Sequence, residues 1–229
     1  MNYPRHYTSD NYLQKVRKHT EPYTAVVSDL EIVIFPNVMS PKYDRSAQMI
    51  LSMMPDQKGK SILEMGCGSG ILSLYCALHN AKNITAVDIN PQAVENTKEN
   101  LSRYSVVNAN VFLSDLFKNV TDTFDTIIFN APFHGNKALD MLELGTSDYN
   151  YETLTRFFSE APQHLNEKGE ILLGFANTGD NELVQKLIRD NELLIKNLQT
   201  CENGDWIMYL YTIEKIVSDM DSNNHHPND

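Results

Sequence analysis

Eight residues constrain this chain more than any others: Leu63-Glu64-Met65-Gly66-Cys67-Gly68-Ser69-Gly70. They follow a short β-run, SILEM (61–65), and lead straight into an apolar helical stretch, ILSLYCALH (71–79). Glycine at alternate positions lets the backbone turn sharply and lets a ligand lie against bare main chain. A strand-loop-helix unit of this kind belongs in an open α/β sheet, where ligands bind beyond the carboxyl ends of the strands. The rest of the chain agrees. ITAVDI (84–89) reads as a strand. A helix follows to about Tyr104, with Asn90 as its cap and Pro91 in its first turn. ANVFL (109–113), FDTIIFN (124–130) and ILLGFA (171–176) read as further strands, with helices over about 151–165 and 181–190. Strands at 194–201 and 206–213 flank Glu202-Asn203-Gly204-Asp205, where Asn-Gly signals a hairpin. Short connections between alternating strands and helices imply a mostly parallel, doubly wound sheet with a C-terminal hairpin supplying an antiparallel edge.

Upstream of this pattern, residues 24–35 read as two strands joined at Ser28-Asp29, and Pro36 ends the second. Pro36 and Pro41 stiffen a loop. Ala47, Ile50, Leu51 and Met54 then recur at helical spacing, with Asp44 placed to cap the helix. Residues 1–20 carry Arg5, Lys15, Arg17 and Lys18 against one acid, Asp10. Ser9 or Asp10 can cap a short helix there that turns Leu13 and Val16 inward. The expected organisation is an N-terminal helix and β-hairpin extension over 1–42, serving as arm or lid, a main domain over 43–217, and a disordered acidic tail over 218–229.

The net charge is -11, from 19 Lys+Arg and 30 Asp+Glu. Polyanion affinity comes from Lys and Arg, so strong non-specific nucleic-acid binding is not expected. No apolar run reaches the length of a membrane span and no leader is read at the N-terminus, so no membrane contact is expected. The 3 cysteines form no Cys-x-x-Cys pair. A disulfide framework and a metal site are therefore not expected, and a cytoplasmic location fits.

The glycine loop can be asked which ligand it suits. Ile71 stands where a dinucleotide fingerprint would place its last glycine, and the Gly-Lys-Ser/Thr of a Walker loop is absent. Glu64, just before the loop, would repel a pyrophosphate and favour a cation. Asp88 closes the second strand, where a carboxylate can accept two ribose hydroxyls. Asp115, after the third, can accept an adenine amino group. A positively charged adenosine with an amino-acid tail matches this set. Together these residues resemble the successive motifs of class I S-adenosylmethionine-dependent methyltransferases, over roughly residues 43–215. The resemblance implies a Rossmann-like seven-stranded sheet, S-adenosyl-L-methionine as cofactor, and cofactor binding by Glu64, Gly66, Cys67, Gly68, Gly70, Asp88, Ile89, Asp115, Leu116 and Asn130.

The fourth strand ends in Asn130-Ala131-Pro132-Phe133-His134-Gly135. This resembles the Asn-Pro-Pro-Phe/Tyr motif of methyltransferases that modify planar nitrogen, such as release-factor glutamine and nucleic-acid amine methyltransferases. With Phe35-Pro36-Asn37-Val38-Met39-Ser40-Pro41 upstream, it is similar to the "small" methyltransferase domain of ribosomal-RNA guanine N2-methyltransferases. Ala131 departs from that motif, which removes one restraint on the loop. The resemblance implies that Asn130 orients an amide or exocyclic amine of a protein or RNA acceptor. Pro132 and Phe133 would shape the acceptor pocket, with Phe133 stacking on the acceptor plane. His134 can contact substrate or act as general base toward an oxygen acceptor. Tyr43, with Asp44, is a candidate substrate-side residue. Three alternatives stay open: a small-molecule O- or N-methyltransferase, a nicotinamide-dependent oxidoreductase, and a non-catalytic module that binds the donor.

Overall fold

The computed structural model describes residues 7–216, and side chains from residue 11 onward. The expected tail over 218–229 and the basic Arg5 lie outside the described residues. The elements run α1 (Tyr7–Arg17), β1 (Tyr23–Val27), β2 (Leu30–Ile34), α2 (Ser46–Met53), β3 (Ser61–Met65), α3 (Ile71–Leu78), β4 (Asn83–Asp88), α4 (Pro91–Arg103), β5 (Ala109–Leu113) and β6 (Phe124–Asn130). They continue as α5 (Glu152–Glu160), β7 (Leu165–Ala176), α6 (Asn181–Asp190), β8 (Leu193–Asn203) and β9 (Trp206–Lys215).

Seven strands form one sheet in the order β5-β4-β3-β6-β7-β9-β8, and β1 pairs with β2 in a separate hairpin. β5, β4, β3, β6 and β7 run parallel, and β9 is antiparallel to both β7 and β8. The chain lays β4 and β5 on one side of β3, then returns to place β6 on the other. The β3–β6 boundary is thus the point where strand order reverses, and a crevice opens there beyond the strand ends. Helices α2, α3 and α4 form a contiguous row, while α5 packs against α6. The central strands are buried: Ile62, Leu63, Ile127, Ile171, Leu172 and Leu173 have no exposed surface. A β-run covered on both faces must be apolar at nearly every position, which is how 61–65 and 124–130 read.

Two local details correct the sequence reading. The β8–β9 turn residues are Gly204 and Asp205, closed by the Asn203–Trp206 pair, so Asn203 belongs to the strand rather than the turn. β7 begins at Leu165, six residues before the apolar run that marks it. Its first half, Leu165-Asn166-Glu167-Lys168-Gly169-Glu170, is polar beside a register shift against β6, so it carries no apolar signal.

The extension over 1–42 divides between two cores. Val27, Ile32 and Ile34 of the hairpin belong to the main hydrophobic core. Side-chain amides of α4 bond the hairpin's backbone: Val33 N–H donates to Asn100 Oδ1 and Phe35 N–H to Asn96 Oδ1, each at 2.8 Å. Helix α1 instead joins a second, smaller cluster. Its Leu13 and Val16 pack with Leu142, beside Tyr12, Met39 and Tyr43. Ser9 and Asp10, expected as caps, lie inside α1, which begins at Tyr7.

Candidate active site

A cavity of about 390 Å³ opens at the switch point, beyond the ends of β3, β4 and β6. The glycine loop forms its floor. Gly66, Gly68 and Gly70 adopt φ of 68°, 54° and 76°, a left-handed run open to glycine at little cost. A Cβ on Gly68 would meet nothing within 4 Å, so bare backbone faces open space there. A Cβ on Gly70 would come within 2.7 Å of Thr97. Gly70 is outside the cavity lining; it lets α3 start against α4 rather than meeting a ligand.

Three carboxyls give the cavity its electrostatics. Glu64 is buried, and its Oε2 accepts the Ser73 N–H at 2.9 Å as well as the Ser73 hydroxyl. Burial raises its pKa from 4.5 to about 8, against those two hydrogen bonds. Asp88 Oδ2 accepts the Gly68 N–H at 2.9 Å, and Oδ1 accepts the Asn90 N–H at 2.8 Å. It therefore staples the glycine loop to β4. Asn90 is the cap of α4, accepting the Gln92 N–H at 3.0 Å. Asp44 Oδ1 accepts the Ser46 N–H at 2.9 Å at the start of α2. Desolvation raises Asp44 and Asp88 above the ordinary carboxyl value too. Buried carboxylates that are costly to ionise are stabilised by an incoming cation. A sulfonium-bearing adenosine fits this cavity on those grounds and on the bare backbone of Gly68.

Cys67, Ile89 and Leu116 also line the cavity. Asp115 lines it as well, and both its oxygens accept from one nitrogen of Arg156, at 3.1 and 3.2 Å. Arg156, on α5, gave no signal in the sequence, because a lone arginine on an amphipathic helix reads as a solvated face. Among the described residues, six of the lining are acidic (Asp44, Glu64, Asp88, Asp115, Asp148, Glu152), and Arg156 is the one lining Lys or Arg. The loop between β6 and α5 supplies the opposite wall with Met141, Leu142, Leu144 and Tyr149. Asp148 anchors that wall by accepting the N–H groups of Thr153 and Leu154 at the start of α5, each at 2.9 Å. None of these loop residues was singled out by the sequence, since the loop has no periodicity and its shape comes from tertiary contacts.

Asn130 and Pro132 both line the cavity. The Asn130 Nδ2 donates to Ser46 Oγ at 2.8 Å. Its Oδ1 is buried and has no hydrogen-bond partner among the described residues. Buried polar oxygens are rarely left so, and in a residue that lines the cavity such an acceptor is a candidate partner for a ligand N–H.

Three expected acceptor-side residues lie outside this cavity's lining. Phe133 is buried, with its ring edge-on to Phe175 and tilted against Trp206 at 6.3 Å each. Chain geometry is the reason: neighbouring residues of an extended segment point to opposite sides, so Pro132 takes the cavity and Phe133 the core. His134 is 3% exposed; its backbone bridges Ser147, and its Nε2 lies 3.4 Å from Thr178 Oγ1. It is packed into the base of the loop instead of reaching an acceptor. The Tyr43 hydroxyl bonds His19 Nε2 at 2.7 Å, on the α1 side.

Residues 29–199 match the model of the methyltransferase small domain. The chain belongs to that family. A relative from Methanocaldococcus jannaschii, provisionally named a protein N5-glutamine methyltransferase, is 36% identical over 169 residues, covering 70% of this chain and 84% of its own. The ribosomal RNA small subunit methyltransferase C of Vibrio vulnificus is 32% identical over 146 residues, 63% of this chain but 39% of its own. This chain thus spans about two-fifths of that relative's length. Among solved structures, the T. thermophilus 16S rRNA N2 G1207 methyltransferase, in complex with AdoMet and guanosine, matches with a TM-score of 0.61 at 19% identity, over 86% of this chain and 50% of that one. A Pyrococcus furiosus methyltransferase matches with a TM-score of 0.64 at 18% identity, over 91% and 98%. At such identity the structures support the fold alone. The protein is an S-adenosylmethionine-dependent methyltransferase. No helix among the described residues is long and apolar enough to cross a membrane, and no cluster of three or more His, Cys, Asp or Glu among them is placed to hold a metal.

Proposed function

We propose that the protein methylates a planar nitrogen, and that the acceptor is a side-chain amide carried on a polypeptide. The observation that carries the reading is the unpartnered Oδ1 of Asn130, buried at the end of β6 in the cavity wall. S-adenosylmethionine, when bound, supplies an activated methyl group. Glu64, the backbone of Gly66 to Gly68, Asp88, Ile89, Asp115 and Leu116 would hold it. Asn130 Oδ1 accepts one acceptor N–H and so fixes the nitrogen's orientation, while Pro132 bounds the pocket. An amide nitrogen has a delocalised lone pair, so orientation and exclusion of water are what this chain contributes. No general base is needed within reach, and His134 is not among the residues lining the cavity.

Two observations favour polypeptide over RNA. Arg156 is already paired with Asp115 within an acidic cavity lining, so no free lining cation waits for phosphate. The mouth is also apolar: Met141, Leu144 and Tyr149 are 42%, 40% and 52% exposed. The M. jannaschii relative's provisional name agrees with a glutamine amide. The buried thiols of Cys67 and Cys76 suit the reducing cytoplasm as the place of action.

The test is transfer of radioactive methyl from S-adenosylmethionine into a cell extract, with protein, RNA and small-molecule fractions counted separately and Asn130→Ala as control. The expected result is label in protein that disappears with Asn130→Ala while donor affinity persists. Label confined to small molecules, or equal label with both proteins, overturns the reading.

A further inference from the structure

The amide of Asn130 can face its cavity in two ways, and only one of them accepts an N–H. Rotating it by 180° exchanges oxygen for NH₂ and turns an acceptor into a donor. Something must choose. The choice is made by a chain of hydrogen bonds that begins outside the Asn130 motif, at the start of α2. Asp44 Oδ1 accepts the Ser46 backbone N–H at 2.9 Å, and Asp44 Oδ2 accepts the Ser46 hydroxyl at 3.0 Å. Ser46 Oγ in turn lies 2.8 Å from the Asn130 amide nitrogen.

The direction of this chain is fixed by its first member. A carboxylate only accepts, so the single hydroxyl hydrogen of Ser46 is committed to Asp44. Ser46 Oγ then has lone pairs left and no hydrogen, so toward Asn130 it can only accept. Asn130 must present its NH₂ to Ser46, and its Oδ1 is turned away, to where it has no partner among the described residues. Ser46 is 1% exposed, so water does not compete for the hydroxyl.

We infer that Asp44 and Ser46 are positioning residues that set the amide orientation of Asn130, so that its oxygen faces the methyl acceptor. The inference rests on the reading of Asn130 as the acceptor-binding residue. It assigns to the Asp44-Arg45-Ser46 turn a role beyond starting α2. The cost of the wrong orientation is more than a lost hydrogen bond. A donor facing the donor group of an amide is repulsive, so a reversed Asn130 would discriminate against the acceptor.

The chain can be reversed by an isosteric change. In Asp44→Asn, the side-chain oxygen keeps the Ser46 N–H, which leaves Nδ2 to face the Ser46 hydroxyl. The hydroxyl then accepts from residue 44 and donates to residue 130, and the Asn130 amide flips its NH₂ into the cavity. The fold need not change. Ser46→Ala removes the link without reversing it, and Ser46→Thr keeps it.

The experiment uses the full chain and two readouts. Calorimetry with S-adenosylmethionine measures the donor site, and methyl incorporation into extract fractions measures turnover. We expect Asp44→Asn to lower incorporation at least tenfold, by a factor well above any accompanying change in donor Kd. Ser46→Ala should fall between Asp44→Asn and the unmodified protein, and Ser46→Thr should restore most of the rate. Side-chain ¹⁵N–¹H spectra supply a measurement independent of activity: the Asn130 NH₂ pair, assigned by its loss in Asn130→Ala, should shift in Asp44→Asn. If Asn130→Ala retains full turnover, the functional reading fails. If Asn130→Ala is inactive while Asp44→Asn retains full turnover and an unshifted amide pair, the positioning role alone is overturned. Loss of donor binding in Asp44→Asn, in parallel with turnover, also overturns it in favour of a structural role.

Discussion

Glu64 shows how one buried carboxyl couples ligand, proton and stability. Its folded pKa of about 8 stands above the ordinary 4.5, chiefly through desolvation, so the folded protein holds a proton that the unfolded chain releases. The stability it contributes is whole below about pH 4.5 and is lost as pH rises through about 8. The melting temperature of the ligand-free protein should therefore fall over that window, and Glu64→Gln should flatten this component of the fall. A cationic donor favours the carboxylate, so its binding at pH 7 should release a proton, read by calorimetry in buffers of different ionisation enthalpy. Proton uptake on binding would contradict the assignment. Asp88 makes a second prediction at this scale. Replacing it with Ala removes the acceptor of the Gly68 and Asn90 N–H groups, and should weaken donor binding by about 1–3 kcal/mol. Unchanged affinity would mean that Asp88 holds only backbone. That Glu64, Asp88 and Asn130 line one cavity could be expected from the sequence, because Asp88 and Asn130 close β-runs, Glu64 stands one residue from the end of its own, and strand ends in a parallel sheet converge on one crevice. Phe133 and His134 were not, because a motif gives order along the chain and not the side to which each residue turns. Ser46 was hidden for a related reason: its partner, Asn130, lies 84 positions away.

At the scale of elements, the wall of the cavity depends on a helix that supplies none of its described lining residues. Leu142, on the loop between β6 and α5, lines the cavity on one side and packs with Leu13 and Val16 of α1 on the other. Arg17 adds an ion pair to Asp140 at 2.7 Å, in which both side chains are more than a third exposed. Exposed pairs contribute about 0–1 kcal/mol, so the apolar contact is what holds α1 to the loop. In a main core, Leu→Ala costs about 2–5 kcal/mol. The cluster of Leu13 is separate, so α1 can undock by itself and the global loss in Leu13→Ala should fall below that range. The expected signature is faster amide exchange in α1 and residues 137–149, unchanged exchange in β3, β4 and β6, and a raised KM for the acceptor. Faster exchange throughout the sheet would show that α1 belongs to the main cooperative unit. The regular elements were readable because apolar alternation and helical spacing mark them. The 131–151 loop was not, since its form comes from the His134–Ser147 bridge and the docking of α1, neither of which leaves a local pattern.

The whole molecule adds a field to the site. A net charge of -11 surrounds a cavity whose charged lining, among the described residues, is acidic apart from one paired arginine. Such a field draws in a cationic donor and opposes a polyanion, because nucleic-acid affinity is built from phosphate contacts with unpaired Lys and Arg. The same field does not oppose a polypeptide, whose amide is neutral and whose neighbours can be basic or apolar. On the proposed reading, an apolar mouth beside an acidic cavity would favour the polypeptide of the two acceptor classes that share a planar nitrogen. Fluorescence anisotropy with a labelled single-stranded RNA, at physiological salt and with S-adenosylmethionine present, tests the selection. Binding should not saturate at concentrations up to roughly 10⁻⁴ M, the weak end of non-specific nucleic-acid affinity. Saturation in the low micromolar range, weakening steeply as salt is raised, would mean that phosphate contacts lie outside the cavity on a surface such as Lys15 and Lys18 of the α1 region. In that case the acidic lining would serve the donor alone, and the acceptor would be a nucleobase.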